Sequence, residues 1–297
     1  MIRESLQNIT IQHLPFFSAK NVPVDILRLD LLHPIVSGNK WFKLQYYLQD
    51  AIAGKKNIIA TFGGAYSNHI VATAYAAKEA GLQSMGYIRG ENPGKLSATL
   101  QDAVKYGMQL AFVDREMYRD KELIIQQNHD PQFYWIMEGG YGNLGSKGAA
   151  DILKVIDTSG YSHILCAVGT GTMLSGLIRA SLPGQEVTGI SVLKNHFGLE
   201  EEVDALLDED SKNKTFSILH QYHFGGYAKH PPELIAFMRD TWLKEQLPTD
   251  IVYTSKLLFA VKKLIEDDYF PVGARLLLIH SGGLQGNASL LPNTIPF

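Results

Sequence analysis

The 297-residue sequence holds one cysteine, Cys166. That excludes an intrachain disulfide framework and suits a reducing cytoplasm. Charge of either sign is also in short supply. With 27 basic and 30 acidic residues the formal net charge is −3, which leaves no electrostatic footprint for nucleic acid or an anionic membrane. No stretch approaches the roughly 18 consecutive apolar residues of a membrane span. The opening MIRESLQNITIQHL has no apolar core of a signal peptide. Internal repeats and low-complexity linkers are missing too. The mononucleotide loop GxxxxGK followed by Ser or Thr does not occur, and Gly169, Gly171 and Gly176 do not keep GxGxxG spacing. What these absences leave is a cytosolic globular protein, an enzyme or a binding protein.

Hydrophobic residues make up 45% and charged residues 19%, an ordinary globular composition. From Asn57 the pattern repeats as strand, glycine-bearing turn, helix. Strands are expected at 57–61, 84–88, 109–113, 132–137, 163–168, 186–192 and 274–280. Helices are expected at 67–80, 96–106, 145–157, 173–181, 234–245 and 255–267, with the polar stretch 200–222 also helical. Strands alternating with helices predict an α/β protein with mostly parallel open sheets flanked by helices.

Three segments carry groups suited to chemistry. Gly169-Thr170-Gly171-Thr172 lies between a strand and a helix, where backbone N–H groups and hydroxyls can cradle one phosphate. A tight turn needing glycine only for its shape has the same sequence. In Ser37-Gly38-Asn39-Lys40-Trp41-Phe42-Lys43-Leu44 a lysine sits between a glycine and an apolar-aromatic stretch, which favours a neutral, nucleophilic amine. An isolated lysine at a helix start is nevertheless usually a solvated surface residue. In Gly63-Gly64-Ala65-Tyr66-Ser67-Asn68-His69, Ser67 suits an N-cap or an anion contact. The neighbouring His69 is a base or a packed histidine, and Tyr227 and Tyr253 stand in expected loops.

In their order and spacing these segments resemble the pyridoxal phosphate (PLP) enzymes that include 1-aminocyclopropane-1-carboxylate (ACC) deaminase and D-cysteine desulfhydrase, with a tryptophan synthase β-like fold. SGNKWFKL resembles the family's GGNKxRKLE, GGAYSNH its GGxxSNH, GTGT its phosphate cup, and EGGYGNLGSKG its substrate-side loop. GGYA, DIVYTSK and HSGG resemble GxxYG, DPVYxGK and HxGG. The resemblance spans Leu27 to about Gly286. It implies Lys40 as the Schiff-base lysine with Lys43 its helix neighbour. Asn68 would meet the PLP phenolate oxygen, Ser67 the substrate carboxylate, and Gly169, Thr170, Gly171 and Thr172 the phosphate. Tyr227 and Tyr253 would shuttle protons. The resemblance also implies a homodimer and a cofactor cleft between two domains. The larger would comprise residues 1–42 and 158–297, the smaller 43–157.

Three departures lie toward the substrate side. The KRED-like stretch reads Leu27-Arg28-Leu29-Asp30, DPVYxGK has become DIVYTSK, and the region 116–132 is shorter than in the family. Where ACC deaminases carry a glutamate against the pyridine nitrogen, this chain has Thr254. A hydroxyl holds that proton less firmly, so the resemblance implies β-elimination from a small amino acid, as in D-cysteine desulfhydrase, giving pyruvate, ammonia and sulfide. ACC ring opening to 2-oxobutyrate and ammonia is the first alternative. A racemase or dehydratase on the same scaffold and a catalytically silent small-molecule binding protein are the others.

Overall fold

The computed structural model describes residues 6–297. Residues 1–5, which belong to the stretch read for a leader and to the expected larger domain, lie outside the described residues. Strands β1 (Ile11–His13) and β2 (Val24–Arg28) precede helix α1 (Asn39–Ala53). Strand β3 (Ile58–Gly63), helix α2 (Asn68–Glu79), β4 (Gln83–Arg89), α3 (Ala98–Lys105), β5 (Met108–Val113), α4 (Lys121–Gln127) and β6 (Phe133–Ile136) follow. Helix α5 (Asn143–Ala150) leads to β7 (His163–Val168), α6 (Thr172–Ala180), β8 (Glu186–Ser191), α7 (Leu199–Asp204) and β9 (Phe216–Leu219). The chain closes with α8 (Pro232–Glu245), α9 (Thr254–Glu266) and β10 (Leu276–His280).

Two sheets result. One runs β1-β2-β10-β7-β8-β9, and the other β5-β4-β3-β6. Every pairing is parallel except β1 with β2. The central strands are unbroken apolar runs because helices cover both faces of the sheet. HILCAV of β7 and LLLIH of β10 are buried at every position. On one face Leu234, Met238, Leu257, Val261 and Leu264 of α8 and α9 pack on Leu165, Leu276 and Leu278. On the other, Ala149, Leu174, Leu177 and Ile178 of α5 and α6 pack on Ile164, Cys166 and Leu277. The long sequence separation of β2 and β10 matters most. Leu276–His280 pairs in register with Val24–Arg28, so the last strand lies beside the segment that leads into Lys40.

Helix α5 ties the lysine helix to the phosphate-turn helix. A β-carbon on Gly148 would stand 1.9 Å from the Phe42 carbonyl oxygen of α1, so only glycine permits this approach. Helix α1 itself runs unbroken across residues 42 and 43. Among the described residues no helix is long and apolar enough to cross a membrane.

The expected rhythm of strands and helices is present, with three differences. Stretch 200–222 is helical only through Asp204, and Phe216–Leu219 forms the edge strand β9 beside β8. Its residues FSIL are half-buried throughout, so no alternation marks them. The helix expected at 145–157 stops at Ala150 and tightens into a 3₁₀ turn over Asp151–Lys154. Strands β1 and β2 and helix α4 were not expected at all; β2 reads as VDILR, an aspartate inside a wholly buried strand.

Candidate active site

Strands β3, β7 and β10 end on glycine turns, and these three turns converge. In open parallel sheets ligands bind beyond the carboxyl ends of strands. One cavity there is lined by Lys40, Asn68, Gly169, Thr170, Gly171 and Tyr253 among others. Six residues proposed from sequence are thus brought together. Four others, Ser67, Thr172, Tyr227 and Thr254, stand outside the cavity lining.

Lys40 occupies the first turn of α1. Gly38, the residue before the helix, has φ +66°, and a β-carbon on it would lie 1.8 Å from the Ser281 carbonyl oxygen. The Asn39 amide donates to that same carbonyl at 3.2 Å, while its side-chain nitrogen donates to Met173 Sδ at 3.2 Å. Upstream, Arg28 grips Asp30 through two bonds of 2.8 and 2.6 Å, which holds the loop where the KRED-like stretch departs from the family. The Lys40 amine is buried, and burial pushes it down to about 8. A neutral amine is the form that attacks a carbonyl.

Lys43 follows one turn later on the same face. It is 3% exposed and donates to the Gly139 carbonyl at 3.3 Å. Burial, reinforced by the charge of Lys40, holds it well below the usual lysine range. A β-carbon on Gly139 would be 3.0 Å from the Thr170 methyl, so Lys43 stands beside the GTGT turn. The sequence marked it only as a neighbour of Lys40; the i, i+3 spacing was the available signal.

The turn after β7 places Gly171, at φ +72°, as the N-cap of α6. Thr170 and Thr172 hydroxyls meet at 3.1 Å, and Thr172 is fully buried. Ahead of α2, Ser67 has the extended backbone of an N-cap, yet its hydroxyl accepts no capping bond. The capping role read for Ser67 is therefore not realised, and its hydroxyl is left for another partner. Asn68 donates to the Gly283 carbonyl at 3.3 Å, while its Oδ1 is buried without a partner.

His69 is not part of the cavity lining. The single Thr61 hydroxyl proton goes to the Ile136 carbonyl at 2.7 Å, so Thr61 accepts from His69 Nε2 at 2.8 Å. This fixes the Nε2–H tautomer. Burial, then the charges of Lys40 and Lys43, hold the ring well below the usual histidine range. It is a packed, neutral histidine.

On the opposite wall, the Asp250 carboxylate accepts from the amides of Val252, Tyr253 and Thr254 at 2.8, 2.7 and 2.8 Å. This sets the start of α9. The Tyr253 ring lies 3.4 Å from where Gly169 would carry a β-carbon. Tyr227 meets it edge to face at a centroid distance of 6.1 Å. Burial, and then the neighbouring Tyr227, push Tyr253 well above the usual tyrosine range. Tyr227 is 44% exposed as a residue, but its hydroxyl end sits within the protein, and burial there raises it as well. Thr254 is fully buried, and its hydroxyl has no partner.

Buried polar atoms without partners are rare in folded proteins. Here Asn68 Oδ1 stands unpartnered in a cavity it shares with the glycine-threonine turn, Lys40 and Lys43, and Thr254 Oγ1 stands unpartnered next in the chain to the cavity-lining Tyr253. Among the described residues, neither lysine is in ion-pair contact with a carboxylate. That donor set fits an aldehyde-bearing phosphate ester with a ring nitrogen and a phenolic oxygen, which describes PLP. Ser281, Gly282 and Gly283 also line the cavity; in the sequence they stood out only through the HSGG resemblance.

Comparison with known proteins agrees. The family model for pyridoxal-phosphate dependent enzymes matches residues 2–282. A putative ACC deaminase of Pyrococcus furiosus is 30% identical, over 93% of this chain and 89% of its own. A mitochondrial protein of Arabidopsis thaliana, named a bifunctional D-cysteine desulfhydrase/ACC deaminase, is 26% identical over 88% of this chain and 72% of its own. The crystal structure of an ACC deaminase homologue superposes with a TM-score of 0.80 at 26% identity, over 94% of this chain and 90% of that one. The chain belongs to the pyridoxal-phosphate-dependent enzymes of the ACC deaminase and D-cysteine desulfhydrase family, with the tryptophan synthase β-like fold.

Proposed function

We propose that the chain eliminates the β-substituent of a small amino acid, as in D-cysteine desulfhydrase chemistry, releasing pyruvate, ammonia and, from D-cysteine, sulfide. The observation that carries this reading is Thr254, neutral and fully buried with its hydroxyl unpartnered, next in the chain to the cavity-lining Tyr253 and at the position where the resemblance puts the partner of the cofactor's ring nitrogen. A hydroxyl leaves that nitrogen less firmly protonated than a carboxylate would. PLP, when bound, supplies an electron sink for the bond broken at Cα.

The chain's own residues supply the rest. Lys40 would hold the cofactor through its amine, and that amine is the group placed to take the α-proton. The Gly169–Thr172 turn and Lys43 would hold the phosphate, and the second side-chain N–H of Asn68, beside the one given to the Gly283 carbonyl, would donate to the phenolic oxygen. Ser67, with its hydroxyl free of capping, receives the substrate carboxylate. Tyr253 and Tyr227, both held protonated by burial, are donors to a departing group. A cytoplasmic homodimer, with domains divided near residues 42 and 157, completes the proposal.

The names of the relatives support a second reading, ACC ring opening. The test is a screen of D- and L-cysteine, β-chloroalanine and ACC for keto-acid release. Pyruvate from D-cysteine or β-chloro-D-alanine is expected. Efficient 2-oxobutyrate formation from ACC without that pyruvate rejects the ranking.

A further inference from the structure

Arg89 is the last residue of β4. Because β4 runs parallel to β3 with Gly63 opposite Ile88, the strand delivers Arg89 beside Gly64, in the loop that leads to Ser67. A β-carbon on Gly64 would lie 3.6 Å from an Arg89 guanidinium nitrogen. The absent side chain at Gly64 is what leaves the guanidinium open to the loop.

Arg28, Arg179 and Arg275 each meet an aspartate, whereas Arg89, exposed like Arg115, Arg119 and Arg239, meets no carboxylate among the described residues. Its guanidinium stands over the Tyr118 ring, 5.8 Å from the centroid. Tyr118 is 3% exposed, and its hydroxyl is buried without a partner. Lys121 approaches the same ring at 4.9 Å and pairs with Glu138 at 3.3 Å. The nearby carboxylate is thus already matched, and the cluster carries one uncompensated positive charge. The cluster borders the site, since Glu138 precedes Gly139, which lines the cavity, while Arg89 stands just outside that lining.

We infer that Arg89 reads an anionic group on the substrate's side chain, so that amino acids with a negatively charged β-substituent are the preferred class. This rests on the amino-acid chemistry proposed for Lys40. A planar guanidinium with several donors binds carboxylate, sulfonate or thiolate, and it gains strength where one side of it is shielded by a ring.

Aspartate and asparagine make the test, because they share shape, α-amino group and α-carboxylate and differ in side-chain charge. Binding of each enantiomer to the holoenzyme is followed by the change in cofactor absorbance. In the hand that binds, aspartate is expected to be about tenfold tighter than asparagine, the worth of one charge-assisted pair. Arg89→Gln is expected to collapse that ratio to within about threefold, and Arg89→Lys, which keeps the charge but not the planar fork, to fall between the two. Raising the salt concentration on the wild-type enzyme, which needs no variant to fold, is expected to weaken aspartate more than asparagine. Equal binding of the two by the wild-type enzyme, or an unchanged ratio in Arg89→Gln, overturns the inference and leaves the amino-acid reading intact. Failure of every amino acid tested to perturb the cofactor overturns both.

Discussion

Gly38 presses on the carbonyl of Ser281, 243 positions later in the chain, so closely that a β-carbon would stand 1.8 Å from its oxygen. This contact sets where Lys40 emerges, because Asn39 then donates to the same carbonyl and α1 begins. Gly38→Ala forces the two turns apart and places alanine at φ +66°. The expected cost is about 4 kcal/mol or more, from a steric clash plus backbone strain. Thermal unfolding of the variant, with cofactor content measured alongside, checks it.

Lys43 is a buried amine beside the phosphate turn, and a phosphate bound there would favour its charged form against the burial that opposes it. Lys43→Gln is expected to weaken PLP binding about 10- to 100-fold, because a charge-assisted phosphate contact is lost. Titration of the apoprotein with PLP reads this directly. A merely packed lysine would leave the affinity within about threefold of wild type.

The depressed Lys40 amine gives a pH signature. Burial lowers its folded value from 10.5 to about 8, so between those limits the unfolded chain binds the extra proton. Stability of the apoprotein is therefore expected to rise with pH through that window, with no Lys40 contribution to the slope below it. The rate at which the apoprotein captures PLP is expected to climb toward about 8 and then level, since the neutral amine is the reactive form. A climb continuing to the ordinary lysine value contradicts the burial of Lys40.

Asp250 never touches the cavity, yet it sets the wall that holds Tyr253 and Thr254. Asp250→Ala strips three buried amides of their acceptor and is expected to cost about 2–4 kcal/mol. Asp250→Asn, which keeps one acceptor oxygen, is expected to cost less. Urea unfolding of both variants checks the order.

Much of this was legible in the chain itself. The apolar runs at 58–63 and 163–168, each ending on glycine, gave the parallel strands and the turns after them. Their order gave the family and so Lys40, Asn68 and the GTGT turn. Four things were not legible, for physical reasons. The grip of Ser281 on Gly38 and the place of β2 beside β10 depend on contacts across most of the chain, which no local pattern encodes. The vacancy at the Ser67 cap is a matter of rotamer, since a serine that caps and one that does not have the same sequence. Edge strand β9 is half-buried on both faces and follows an acidic run of good helix formers, so propensity pointed the wrong way. Arg89 carried no motif at all; only the pairing of β4 with β3 brings it to the loop.

The most direct measurement is to locate the cofactor. Borohydride reduction of the holoenzyme fixes PLP to the amine that holds it, and peptide mass spectrometry then reads the residue. The holoenzyme is expected to absorb at roughly 410–430 nm, as lysine-bound PLP does, and to lose that band on Lys40→Ala. The label is expected on Lys40. A label on Lys43, its buried neighbour one turn away, contradicts the account.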